Sequence, residues 1–134
     1  MKNTVLALAV LGVAYVSAQT EPWCRCALFV SGGHAEYMVS ELPEVEINDC
    51  ESHDQCKYRC RREFNDMTNE MDLWSTVNNA TVGSYLCQNL EHSIHNKYVY
   101  GYYEMCGGPW EYSGLVSQQM LCCYKGEHNH CISM

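Results

Sequence analysis

The chain has 134 residues, ten of them cysteine, with 8 Lys and Arg against 16 Asp and Glu and a formal net charge of −8. That length makes one domain, and so negative a surface excludes nucleic acid and anionic membranes as partners. Cysteine at this density in a short chain points to a disulfide framework made outside the reducing cytosol.

The chain opens on a short positive start, Met1-Lys2, followed by an uncharged apolar run from Thr4 to Val16. Val16-Ser17-Ala18 is a small-residue cleavage site, which predicts a signal peptide over 1–18 and a secreted domain over 19–134. The apolar run is shorter than the roughly 20 residues of a spanning helix, and no later stretch is long and apolar enough for a membrane span. Loss of Lys2 with the leader makes the remaining domain one charge more negative than the full chain's −8. All ten cysteines (Cys24, Cys26, Cys50, Cys56, Cys60, Cys87, Cys106, Cys122, Cys123 and Cys131) follow the cleavage site. Five bridges are therefore expected, each contributing ~2–4 kcal/mol, in a pattern the spacing leaves open. The close pairs, Cys24-Arg25-Cys26 and Cys122-Cys123, lack zinc-finger spacing, so no metal and no cofactor is expected.

Residues 24–30 alternate as a strand, Gly32-Gly33 turns the chain, and Tyr37-Met38-Val39 reads as the returning strand. Residues 41–51 are acidic and carry a proline, the character of an exposed connection or an edge strand. Cys56, Cys60, Phe64, Met67, Met71 and Trp74 recur at helical spacing, which predicts a long amphipathic helix from Ser52 to Ser75. Ser52 and Gln55 fit a capping box at its start. Asn78-Asn79 breaks the chain, and Thr81 caps a second helix carrying Val82, Leu86, Leu90 and Ile94 on one face, with Asn96 at its end. Residues 97–105 form a tyrosine-rich strand with Tyr98, Tyr100 and Tyr102 on one face. Gly107-Gly108-Pro109 is a loop. Leu115 to Tyr124 reads as a strand in which Cys122 and Cys123 face opposite sides and so bridge to different partners. The fold expected is α+β: a small disulfide-rich single domain with a long amphipathic helix, a second helix and short antiparallel strands.

The sharpest chemical signal is Cys50-Glu-Ser-His53-Asp54-Gln-Cys56. This spacing resembles the active-site helix of secreted phospholipases A2, and the resemblance implies a histidine that activates water beside an aspartate that binds calcium. General-base chemistry suits an imidazole, whose pKa lies near neutrality. The chain departs from that family at three places. Asp49 stands at the position of a second cysteine, Gln88 follows Cys87 where the family has an aspartate, and the glycine-rich calcium loop is missing upstream. His53 and Asp54 are therefore the only catalytic candidates, and the chain is not expected to be an enzyme. His92-x-x-His95 and His128-x-His130 each offer two nitrogens without a third ligand. Asn79-Ala80-Thr81 is the N-glycosylation sequon.

Cys106-Gly107-Gly108-Pro109-Trp110 and Gln118-Gln119-Met120-Leu121-Cys122-Cys123-Tyr124 resemble small cysteine-rich secreted proteins of marine molluscs. That group includes the veliger developmentally regulated proteins of abalone. The resemblance implies a non-enzymatic extracellular-matrix protein of a calcified shell, with matrix components or a mineral surface as partners. A phospholipase-like enzyme or toxin, and a soluble defence or inhibitor protein, are the alternatives.

Overall fold

The computed structural model describes residues 22–31, 35–90 and 93–132; the expected leader lies outside them. Its elements in chain order are β1 (Trp23–Ser31), β2 (Glu36–Glu41), β3 (Val45–Glu46), α1 (His53–Thr68), β4 (Thr76–Val77) and β5 (Ala80–Thr81). Then come α2 (Val82–Gln88), β6 (Val99–Met105), β7 (Glu111–Val116), β8 (Cys123–Tyr124) and β9 (Glu127–His128). The central sheet is antiparallel in the order β2-β1-β6-β7, with β3 pairing the start of β1.

The long-helix α+β expectation fails. Strands hold 38% of the described residues against 22% in helices, and the two helices are short. The first stops at Thr68, because Asn69, Glu70 and Met71 all take positive φ (51°, 64° and 64°). Asn69 is a left-handed C-cap, a conformation asparagine tolerates. The Thr68 hydroxyl then accepts the Met71 amide at 2.7 Å and fixes the turn. Met71 and Leu73 reach the core from this irregular segment, while Met67 is exposed. The expected helical face was thus assembled from a helix and the chain beyond it. At the other end, Ser52 makes no side-chain cap; its hydroxyl donates to Asp49 instead, at 2.7 Å.

The second helix starts as expected, with the Thr81 hydroxyl accepting the Ser84 amide at 3.1 Å, but it ends at Gln88. Asn78 and Asn79, at φ 52° and 74°, form the two-residue turn between β4 and β5. The strand expected over 115–124 is also corrected. β7 begins earlier and leaves the sheet after Val116, and Gln118 donates its amide to Met71 O at 2.9 Å. The Gln119 side chain accepts the Leu73 amide at 2.8 Å. This loop satisfies the backbone that the broken helix leaves open.

Strand alternation gives the sheet two faces. Cys24, Cys26, Leu28 and Val30 of β1, with Val99, Gly101, Tyr103 and Met105 of β6, form the buried inner face beneath α1. Two bridges fix the helix there, Cys24–Cys56 and Cys26–Cys60. The match is geometric. Two residues along a strand advance ~6.6–6.8 Å, and four along a helix advance ~6 Å, so C-x-C on β1 meets C-x-x-x-C on α1 rung for rung. Sγ of Cys24 lies 3.7 Å from Sγ of Cys60, so the bridges touch. Cys50–Cys106 ties the approach to α1 to the end of β6, Cys87–Cys123 ties α2 to β8, and Cys122–Cys131 holds the C-terminal tail. All ten cysteines are paired, and Cys122 and Cys123 do bridge to different partners.

Candidate functional site

His53 opens α1. The turn before it is organised by Asp49, whose carboxylate accepts from the Ser52 hydroxyl and the Glu51 amide; the Ser52 bond is the larger cause holding this carboxyl below its ordinary range. That turn aims the imidazole at the inner-face end of the sheet. There Nδ1 of His53 lies 3.5 Å from a carboxylate oxygen of Glu111 on β7. Tyr103, opposite Glu111 in the ladder, meets the His53 ring edge-on at 6.3 Å. Burial raises the Tyr103 phenol above its ordinary pKa, the charges of Glu111 and Asp54 add to this, and the hydroxyl donates to Glu111.

The structure thus gives His53 an acidic partner. It does not enclose the pair, since the His53 and Glu111 side chains are 54% and 44% exposed. The adjoining depression of about 640 Å³ is lined by Asn48, Glu51, Ser52, His53, Asp54 and Gln55. Asp54 also borders a second depression with Arg59 and Arg62, whose positive charges disfavour a cation there. Glu111 was not legible as a partner, because 58 positions of sequence separate it from His53 and only the β6–β7 pairing brings it back.

The remaining candidates have structural surroundings. Sulfurs of Cys24, Cys56 and Cys60 lie within 4.8 Å of one another, but each is bound in a disulfide and has no thiolate to offer a metal. His128 and His130 both pack on Trp74, at 4.3 and 4.5 Å between ring centroids. His95 lines a separate cavity, and His92 lies outside the described residues. Asn79 stands exposed at the tip of the β4–β5 turn, where the sequon is accessible.

The larger feature is the outer face of the sheet. In the register, Met38, Phe29, Tyr100 and Val116 form one cross-strand row, and Glu41, Ala27, Tyr102 and Tyr112 form the next. Ser113 and Gly114 bulge out of β7 between Leu115 and Tyr112, with Gly114 at φ +92°, and this sets Tyr112 over Tyr102. The rings make a continuous string. Arg25 lies over Trp23 at 5.8 Å and over Trp110 at 5.3 Å. Trp110 meets Phe29 at 5.4 Å, and Phe29 meets Tyr102 at 5.1 Å. Tyr112 then touches both Tyr102 and Tyr100 at 5.7 Å. Arg25 is fixed in turn by Glu41, at 2.6 Å from Nε, and by Glu104 at 3.1 Å. Among the described residues, both helices pack on the other side of the sheet: α1 through its bridges, α2 through Leu86 at a cavity shared with Leu28.

The tyrosines of β6 signalled part of this face in the sequence. Phe29, Trp110 and Tyr112 join it only through long-range pairing. Compared with known proteins, the chain matches no family model, no curated protein and no solved structure.

Proposed function

We propose that this chain is a secreted, non-enzymatic protein of an extracellular matrix, and that it holds a neutral polysaccharide on the outer face of its sheet. The observation that carries this reading is the ring string from Trp110 to Tyr100, joined to Trp23 through Arg25, half-buried but flanked by exposed Met38, Tyr112 and Val116, on a sheet whose other face is covered by helices. Exposed apolar patches of this kind mark interaction surfaces. Aromatic rings offer flat apolar area to the C–H faces of sugars, while Arg25, Glu41 and Glu104 at the border offer hydrogen bonds to hydroxyls. The chain's negative charge disfavours sulfated or otherwise anionic glycans. Five bridges support life outside the cell.

The organic matrix of a calcified shell is the setting that the molluscan resemblance implies, and the acidic surface suits contact with calcium mineral. Fractionation of the source tissue tests this. The protein should stay with the insoluble material and be released on demineralisation. Recovery only from soluble secretions would contradict it.

A second reading, phospholipase-like hydrolysis, has the His53–Glu111 approach in its favour. Calcium-dependent hydrolysis of dispersed phospholipid that is abolished in His53→Ala would establish it. The matrix reading expects no turnover.

A further inference from the structure

We propose that Tyr102 and Tyr112 form an oxidative cross-linking site, at which a one-electron oxidant of the peroxidase class, consuming hydrogen peroxide, joins the two phenol rings by a carbon–carbon bond. The two residues are direct partners in the β6–β7 ladder. Their ring centroids lie 5.7 Å apart, with the planes inclined at 50°. Rings at that separation are in contact. Phenols couple through the ring carbons beside the hydroxyl, and the product holds its rings edge to edge with their planes twisted. Cross-strand pairing has already brought together the groups that must meet.

Three observations select this pair among the tyrosines. Tyr100 also lies 5.7 Å from Tyr112, but at 77°, so an edge of one ring meets the face of the other. In the ladder Tyr100 stands opposite Val116 instead. Tyr102 has a proton acceptor in place, because its hydroxyl donates to the Glu36 carboxylate. A phenol that loses an electron becomes a strong acid, and a carboxylate positioned to take the proton eases the oxidation. Tyr58 and Tyr124 are more exposed, at 58% and 59% against 47% for Tyr112, but each has cations over its ring. Lys57 and Arg61 lie over Tyr58, and Lys125 lies over Tyr124. Positive charge beside a ring opposes removal of an electron from it.

The step balances against one hydrogen peroxide. Each phenol gives up one electron, and its proton follows, that of Tyr102 to Glu36 and that of Tyr112 to water. The two phenoxyl radicals then join, each supplying one electron to the new bond. The hydrogens on the joined carbons leave as protons, and both phenol oxygens are protonated again. The chain loses two hydrogen atoms in all. Their electrons and protons reduce the peroxide to two waters.

The bond has a structural consequence. β7 carries no cysteine, so the cross-link would give this strand its own covalent tie to β6. Coupling within one chain is also favoured over coupling between chains. Groups held in one fold meet at an effective concentration of at least ~mM, about a thousandfold above protein at ~1 µM.

The test treats the folded, disulfide-intact protein at about 1 µM with a haem peroxidase and limiting hydrogen peroxide, then reduces it and maps its peptides by mass spectrometry. The expected product is a monomer lighter by two hydrogens, with dityrosine fluorescence and a linked peptide pair holding Tyr102 and Tyr112. Tyr102→Phe and Tyr112→Phe should each lower its yield at least about tenfold, Tyr100→Phe should leave it unchanged, and Glu36→Gln should slow its formation. Protein reduced and unfolded beforehand should lose the preference for this pair. Dimers joined through Tyr58 or Tyr124 as the main product, a link from Tyr100 to Tyr112, a chain left unmodified, or an undiminished yield in Tyr102→Phe would overturn the proposal.

Discussion

Gly83 is pressed against the imidazole of His128 so closely that a Cβ there would lie 2.5 Å from His128 Cγ. The atoms it would meet, Cγ, Cδ2 and Cβ, sit near the root of the side chain, and the ring's other side is covered by Trp74 at 4.3 Å. The ring has little room to yield.

Gly83→Ala should therefore destabilise the fold. Overpacking of this kind costs about 1–3 kcal/mol, and the gain in helix propensity offsets up to about 1 kcal/mol of it. Denaturant unfolding should show a lowered midpoint with an unchanged slope. A midpoint equal to or above the wild type would show that the His128 contact is slack.

The same histidine should make stability fall in acid. Nδ1 of His128 accepts the Cys122 amide at 3.3 Å, so the neutral ring carries its proton on Nε2, which is buried without a hydrogen-bond partner. Burial is the largest cause lowering the His128 pKa, and His130 adds to it against the opposing Cys122 bond. The unfolded chain then binds a proton near pH 6.5, while the folded chain does not until lower pH. The contribution is complete above about pH 6.5 and is lost as pH falls through the folded value. Thermal unfolding between pH 7.5 and 5 should show this slope in the wild type and a flatter one in His128→Gln. Equal slopes would remove the assignment.

The two touching bridges should be redundant. Cys24–Cys56 and Cys26–Cys60 have sequence separations of 32 and 34, so they close nearly the same loop. Once one is made, the other restricts few further residues of the unfolded chain. Replacing either pair by alanine should cost well under the ~2–4 kcal/mol of an isolated bridge, and replacing both should cost about that full amount. Additive losses in the unfolding free energies would contradict this.

Much of the sheet was legible because alternation and cysteine spacing are local signals. Residues 24–30 carried both, residues 97–105 carried the alternation, and Thr81 marked its helix start. The end of α1 was hidden because Met71 continues the helical spacing of Cys56, Cys60 and Phe64 although it lies beyond the left-handed Asn69. Its burial comes from the irregular turn that follows, which the Ser117–Gln119 segment supports through hydrogen bonds. In the candidate sites, His53 was visible from its spacing to the cysteines. Its partner Glu111 and the ring string were not, because both depend on which strand lies beside which.

The outer face bears the central claim, and Tyr112, 47% exposed, can be changed without emptying the core. The most direct measurement is co-sedimentation of the folded, disulfide-intact protein with insoluble neutral polysaccharide, chitin and cellulose in parallel. The wild type should pellet with at least one of them. Tyr112→Ala and Trp110→Ala should each weaken retention about tenfold, the scale of a central aromatic contact. His53→Ala should pellet like the wild type. A wild type that stays in solution, or Tyr112→Ala and Trp110→Ala variants that pellet undiminished, would contradict the account.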